Sequence, residues 1–304
     1  MKQLSKPTYE KAAAALQASA RPLDRARYAR HFSGGSTADV VAALQAFQNP
    51  DGGFGHGLEP DIRLPDSSVI ATSIAFQHFR ELRLPADHPL VASACRYLVQ
   101  TYNAAQINWP IIPANIDDAP HAPWWVLTGD LFASRSNPRA EIAGYLNDYP
   151  EHFPAEMQQT VTASVIDHLL QQPDTLEMHD LLCYIRLWET ESLPPDTRAT
   201  LFAKLKRIVD GTVERDPNGW RAYGLPPLSI IHRPDSPFAE NFRAEIEHNL
   251  DFIIDMQGDD GLWSPNWSWG EQWPDAWAQA RRDWSGHLTV DNLKLLAAFG
   301  RIAG

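Results

Sequence analysis

A chain of 304 residues, 44% hydrophobic and 21% charged, can bury a large core without disulfides or metals, which excludes the disordered, fibrous and staple-dependent classes. Lys and Arg number 26 against 38 Asp and Glu, a formal charge of -12 that excludes binding modes built on neutralising nucleic-acid phosphates. Two cysteines without C-x-x-C spacing (Cys95 and Cys183), an N-terminus lacking the apolar core of a leader, and no apolar run near the roughly 20 residues that span a bilayer point to a cytoplasmic protein with no integral membrane segment.

Apolar residues recur at helical spacing along almost the whole chain, and strand-like alternation is nearly missing. In chain order the spacing predicts helices over 11–18, 37–48, 67–82, 89–102, 122–132, 140–146, 157–169, 176–189, 197–213, 242–253 and 290–302, eleven or twelve in all. Pro7, Pro65, Pro89, Pro138, Pro154 and Pro195 fall near helix starts, where a fixed φ and a missing N–H do least harm. No low-complexity linker divides the chain, so a single all-α domain is expected.

A repeat is visible at the turns. Gln48-Asn49-Pro50-Asp51-Gly52-Gly53-Phe54-Gly55, Asp216-Pro217-Asn218-Gly219-Trp220 and Gln257-Gly258-Asp259-Asp260-Gly261-Leu262-Trp263 each join a polar turn to an aromatic residue. The glycine supplies a positive φ that ends a helix sharply, and the aromatic folds back over the helix end. The first and third turns, with the helices before them, resemble the glutamine-to-aromatic repeats of terpenoid cyclases and of protein prenyltransferase β subunits. That resemblance implies an (α/α)6 toroid of six helical hairpins. Dividing 304 residues among six leaves about 50 per hairpin, which suits it.

Asn115-Ile116-Asp117-Asp118 is similar to the D-x-D-D acid motif of class II terpene cyclases, with Asn in place of the first Asp. The resemblance implies Asp117 as the acid, with Asn115 and Asp118 as its supports; His121, by its own chemistry, reads as an acid–base partner or a metal ligand. On residue chemistry alone, Asp117 and Asp118 equally read as caps of a helix starting near Ala122, and His121 as a hydrogen-bonded structural residue. Trp124 and Trp125 point about 100° apart on a helix, so one at most faces a given cavity. There it could stabilise a carbocation through cation–π attraction.

His56, Glu59, Asp61 and Arg63 form a second polar cluster just after the first glycine turn, readable as the mouth of a substrate site or as a structural ion-pair turn. Six of the eleven tryptophans lie between positions 263 and 284. Among them Trp263, Trp267 and Trp269 alternate with polar residues and read as pocket lining or as core. Metal chemistry has little support: His179 and Cys183 share a helical face, but in an apolar setting that suits a buried structural thiol. No cofactor fingerprint occurs.

The expectation is a terpenoid-cyclase-like enzyme for acid-initiated cyclisation or isomerisation of an isoprenoid, without a cofactor, in a cavity lined by Trp124, Trp125, Trp263, Trp267 and Trp269, with Glu59, Asp61, His56 and Arg63 at its rim. Two alternatives stand beside it. One is a carbohydrate-active enzyme, a glycoside hydrolase or lyase on an α/α barrel. The other is a non-catalytic toroid subunit that needs a partner chain, and a homo-oligomer is compatible with any of the three.

Overall fold

The structure, a computed structural model, describes residues 1–127 and 129–303, and among these it is all-helical, with no strand beyond isolated β-bridges. Twelve α-helices follow in order: α1 Lys6–Ser19, α2 Pro22–Phe32, α3 Thr37–Gln45, α4 Val69–Leu82, α5 Pro89–Thr101, α6 Arg139–Asp148, α7 Ala155–Gln171, α8 Met178–Trp188, α9 Pro195–Thr212, α10 Pro217–Arg221, α11 Arg243–Asp255 and α12 Pro274–Ala298. None is long and apolar enough to cross a membrane.

Local chemistry sets most of the boundaries. Ser5 caps α1 by accepting from the Thr8 N–H at 3.3 Å, and Ser68 caps α4 by accepting from Ala71 at 3.1 Å. Glu177 caps α8 by accepting from the N–H groups of His179 and Asp180. Prolines open α5, α9, α10 and α12.

The differences from the expected helices have physical causes. Among the described residues the helix expected over 122–132, of which position 128 lies outside them, is not formed: a 3-10 turn spans Pro123–Trp125, and Val126 is already extended. Pro120 and Pro123 remove donors there, and Gly129 takes a φ of +103°. Asp117 and Asp118 therefore cap no following α-helix; they lie in a 3-10 turn over Ile116–Asp118. Conversely, α2 and the first half of α12 carry little apolar periodicity because their inward faces are polar or small: Asp24 and Arg27 in α2, Asp283, Ser285, Gly286 and Thr289 in α12.

The chain divides into two compact units. The first comprises Met1–Leu44 together with the chain from Val213 onward, and in it α12 packs against α1 and α2. The second, Gln45–Thr212, is built around α6, which packs on α4, α7 and α8 and whose residues Arg139–Leu146 are all buried. Its core stacks Phe76 on Tyr145 at 4.8 Å, with Phe79 edge-on to Phe76 at 5.2 Å. A polar bridge ties three of its helices: Gln77 of α4 and Arg186 of α8 both donate to the buried Glu141 carboxylate of α6, at 3.1 and 2.9 Å.

The Gln turns are congruent, one in each unit. Gln48 Nε2 donates to Gly52 O (3.0 Å) and Leu90 O (3.2 Å), and Gln257 Nε2 donates to Gly261 O (2.7 Å) and Thr8 O (3.3 Å). Gly52 and Gly261 take φ values of +93° and +92°. The aromatic that follows is pinned alike: Phe54 N–H donates to Thr72 Oγ1 and Trp263 N–H to Thr289 Oγ1, both at 3.0 Å. A third turn lacks the glutamine but keeps the pattern. Asn103 N–H donates to Asn108 O, just as Asn49 donates to Gly53 O and Gly258 to Leu262 O, and Trp109 Nε1 donates to Leu98 O as Trp263 Nε1 does to Ile253 O.

In all three cases the order is helix, turn, aromatic, intervening segment, helix. The intervening segments are 55–68 before α4, 110–138 before α6 and 264–273 before α12. They hold every expected catalytic and substrate-binding residue except the turn aromatic Trp263. Segments inserted at one recurring position of a helical repeat are where such folds carry binding function.

Candidate functional site

Segment 55–68 leaves the Phe54 turn and returns to it. Gly55 is required where the two ends meet, because a Cβ there would stand 2.2 Å from Asp66 O and 2.3 Å from Pro65 O. The tip folds inward. Glu59 and Asp61 are buried and engaged by neighbouring groups, and Glu59 Oε1 accepts from the Asp61 N–H at 3.3 Å. Arg63 donates from Nη1 to Pro60 O at 3.3 Å, and its guanidinium lies against Gly57, where a Cβ would come within 2.9 Å of it. His56 turns outward, its Nε2 meeting Asn49 Oδ1 at 2.8 Å.

Segment 110–138 pairs with this loop. Ile62 and His121 form an antiparallel bridge, in which Arg63 N–H donates to Pro120 O and Ala122 N–H to Asp61 O, both at 2.9 Å. Asn115 Nδ2 adds a bond to Asp66 Oδ2 at 2.9 Å. Two motifs more than fifty positions apart thus become one site, holding Asn115, Asp117, Asp118 and His121 beside the Glu59–Arg63 loop.

His121 is the best-defined group of the site. Its ring is nearly enclosed, and Nδ1 faces Ala119 O at 2.9 Å, a contact made only by an Nδ1–H donor. That leaves Nε2, which stands 3.4 Å from Asp117 Oδ1. The Asp117 side chain is 69% exposed. The pair can pass a proton between its members or to a bound molecule.

Beneath the pair lies an aliphatic floor of Ile62, Leu64, Ile70, Ile112 and Ile116, with Ile111, Trp125, Leu127 and Leu131 packed against it and only partly covered. Trp124 is 49% exposed and Val126 46%. The Asp117–His121 pair is thus tied to this apolar cluster, with Ile116 preceding Asp117 in the chain and Ile62 bridged to His121.

Trp263, Trp267 and Trp269 belong to the other unit. Trp263 and Trp269 are packed inside it, Trp269 against Trp277 at 5.7 Å. Trp267 packs edge to face on Trp284 at 5.2 Å and on Tyr223 at 5.6 Å; the buried Nε1 groups of Trp267 and Trp284 find no hydrogen-bond partner.

Sequence reasoning missed the charged cluster between α2 and α12. Arg27 links Asp291 (2.6 Å) to His287 Nδ1 (3.1 Å), while Asp24 accepts from Arg21 at 2.8 Å. Because Arg27 can only donate, His287 Nδ1 is the acceptor and Nε2 carries the proton toward Asp291 at 3.2 Å. Burial, with Arg27 adding to it against the opposing Asp291, pushes the His287 imidazole down to about 4. Burial, the largest single influence, would raise the Asp24 carboxyl, but Arg21, His287 and Arg27 together outweigh it and hold that group below its ordinary value. The only signal in the sequence is the charge density of Asp24-Arg25-Ala26-Arg27, which reads as a solvated face.

Around Cys183, burial and Glu141 push the thiol well up, and Sγ lies 3.6 Å from Asn137 Oδ1. His179 pairs with Glu177 at 2.7 Å. Among the described residues no three His, Cys, Asp or Glu side chains gather as a metal site. Compared with family models, curated proteins and solved structures, the chain has no match in any of the three. The likeness to terpenoid cyclases therefore rests on the aromatic turns and the Asn115–Asp118 motif.

Proposed function

We propose that the paired segments form the active site of an isomerase or cyclase for an isoprenoid, carried on an α/α toroid of the terpenoid-cyclase kind. The observation that supports this is the Asp117–His121 pair tied to the aliphatic cluster. The hydrocarbon chain lies along Trp124, Val126 and the partly covered residues over the Ile62–Ile116 floor, and displaces water from the Asp117 carboxyl as it binds.

Asp117 then adds its proton to the less substituted carbon of a double bond, leaving a tertiary cation beside the Trp124 indole. His121 Nε2 removes a proton from the neighbouring carbon, and the electron pair of that C–H bond becomes the new double bond. Transfer of this proton from Nε2 to Asp117, followed by exchange with solvent at the exposed Asp117 carboxyl before the next turnover, resets the pair, so the net reaction is isomerisation with no co-reactant. Attack of a second double bond on the cation before deprotonation gives cyclisation by the same balance.

The test is incubation in heavy water with linear C15 and C20 isoprenoid alcohols and diphosphates, reading deuterium in the product by mass spectrometry. One deuterium per turnover is expected, with Asp117→Asn and His121→Gln each lowering the rate by on the order of 100-fold or more. Absence of deuterium from every substrate, or full activity in Asp117→Asn, overturns the reading.

The half-exposed Trp124 and Val126 also favour a second reading, in which they seat a partner chain. Native mass spectrometry of the protein from its own cells distinguishes them: a stoichiometric second chain lost in Trp124→Asp supports the partner, and a retained isoprenoid supports the enzyme.

A further inference from the structure

Two bulky aromatic residues of the first unit hold a backbone conformation that such residues rarely adopt, and both present their rings to solvent. Trp273 sits at φ +50°, ψ 58° immediately before Pro274 and is 50% exposed. Tyr223 sits at φ +70° and is 42% exposed. A left-handed conformation is strained for a residue with a Cβ, and a following proline restricts the backbone further. The rest of the segment is firmly held: Trp269 is buried against Trp277, Trp267 packs on Tyr223 and Trp284, and Asn266 Nδ2 donates to Trp220 O at 3.3 Å. Anchored indoles thus fix a segment whose remaining aromatic, Trp273, is half exposed at a strained position, while the partly exposed Tyr223 packs edge to face on Trp267 of that segment.

We propose that segment 264–273, with Tyr223, is a carbohydrate-binding platform, separate from the Asp117–His121 site and independent of the reaction assigned to it. The chemistry of the surface selects this ligand class. A sugar ring has an apolar face of C–H groups and an edge of hydroxyls, and so takes a flat aromatic face flanked by hydrogen-bonding side chains. Glu271, Gln272 and Asp275, the polar neighbours of Trp273 in sequence, are exposed as it is. The surroundings of Asp117 differ, being built on the Ile62–Ile116 aliphatic cluster, which suits a hydrocarbon. Segment 264–273 also occupies the same place in the helix–turn–aromatic repeat as the two segments that build the other site.

The test is titration of the full-length protein with cellohexaose, chitohexaose and maltohexaose, followed by calorimetry and by indole fluorescence. At least one hexasaccharide binds, and Trp273→Gly and Tyr223→Gly each weaken it tenfold or more, whereas Leu170→Ala, which removes an exposed apolar side chain of the second unit, leaves it unchanged. Glycine occupies the left-handed region without strain, so both variants keep the wild-type circular dichroism and melting transition. Loss of binding with folding intact thereby reports a lost contact. The proposal is overturned if none of the three sugars binds at millimolar concentration, or if binding survives in both glycine variants.

Discussion

Asp117 and Asn115 show how much a motif conveys at the scale of the residue. Their spacing is readable in the sequence, and so is the presence of a histidine four positions on. The sequence does not reveal that His121 Nδ1 is committed to Ala119 O, leaving Nε2 toward Asp117, because that depends on a turn closed by two prolines. Gly52 makes the complementary case, a residue whose identity is dictated by space. Its φ is +93°, and a Cβ there would lie 2.3 Å from Ser93 O, a backbone atom that cannot swing aside. Gly52→Ala is therefore expected to lower the unfolding free energy by about 2 kcal/mol or more, through left-handed strain and the clash together. Urea denaturation checks this, and an unchanged midpoint would show that the turn relaxes at no cost.

At the scale of the element, periodicity succeeds where a helix turns an apolar face inward and fails where it does not. Segment 157–169 was legible because Met157, Val161, Val165 and Leu169 line one face of α7. Helix α2 was not, because its inward residues are Leu23, Asp24, Arg27 and Tyr28, and the charges are matched by His287 and Asp291 of α12 rather than by water. That pairing has a consequence for pH. An ordinary histidine titrates near 6.5, whereas His287 titrates at about 4 in the folded protein. The folded state thus binds the proton less readily than the unfolded state, so this contribution is whole above about 6.5 and is lost as pH falls toward 4. The loss is on the order of 3 kcal/mol. Asp24, held low mainly by Arg21 against its burial, adds in the same direction below its unfolded value of about 3.9. Stability measured from pH 7 to pH 4 should fall, and His287→Gln should flatten the slope between 6.5 and 4. An equally steep slope in that variant would assign the acid sensitivity elsewhere.

At the scale of the whole molecule, the turn repeat was the most legible feature and the meeting of the segments the least. Gln48 and Gln257 announced their turns because a helix end followed by glycine and an aromatic has few alternative conformations. Thr72 and Thr289, which pin those aromatics from 18 and 26 residues downstream, carried no local signal. The bridge between Ile62 and His121 carried none either, since pairing across such a separation is decided by the helices that bring the segments together. The congruence of the Gln turns predicts how they act in combination. Each glutamine satisfies two backbone carbonyls, one in its own turn and one at the start of another helix, and the two share no partner. Loss of one side chain removes the glutamine donor from its turn carbonyl and from a carbonyl in the first turn of a helix, so Gln48→Ala and Gln257→Ala should each cost about 1–3 kcal/mol. Because the residues belong to different compact units, the double variant should lose the sum to within about 0.5 kcal/mol. A double-mutant cycle in urea measures the difference, and a larger interaction term would mean that the two turns are energetically coupled through the chain.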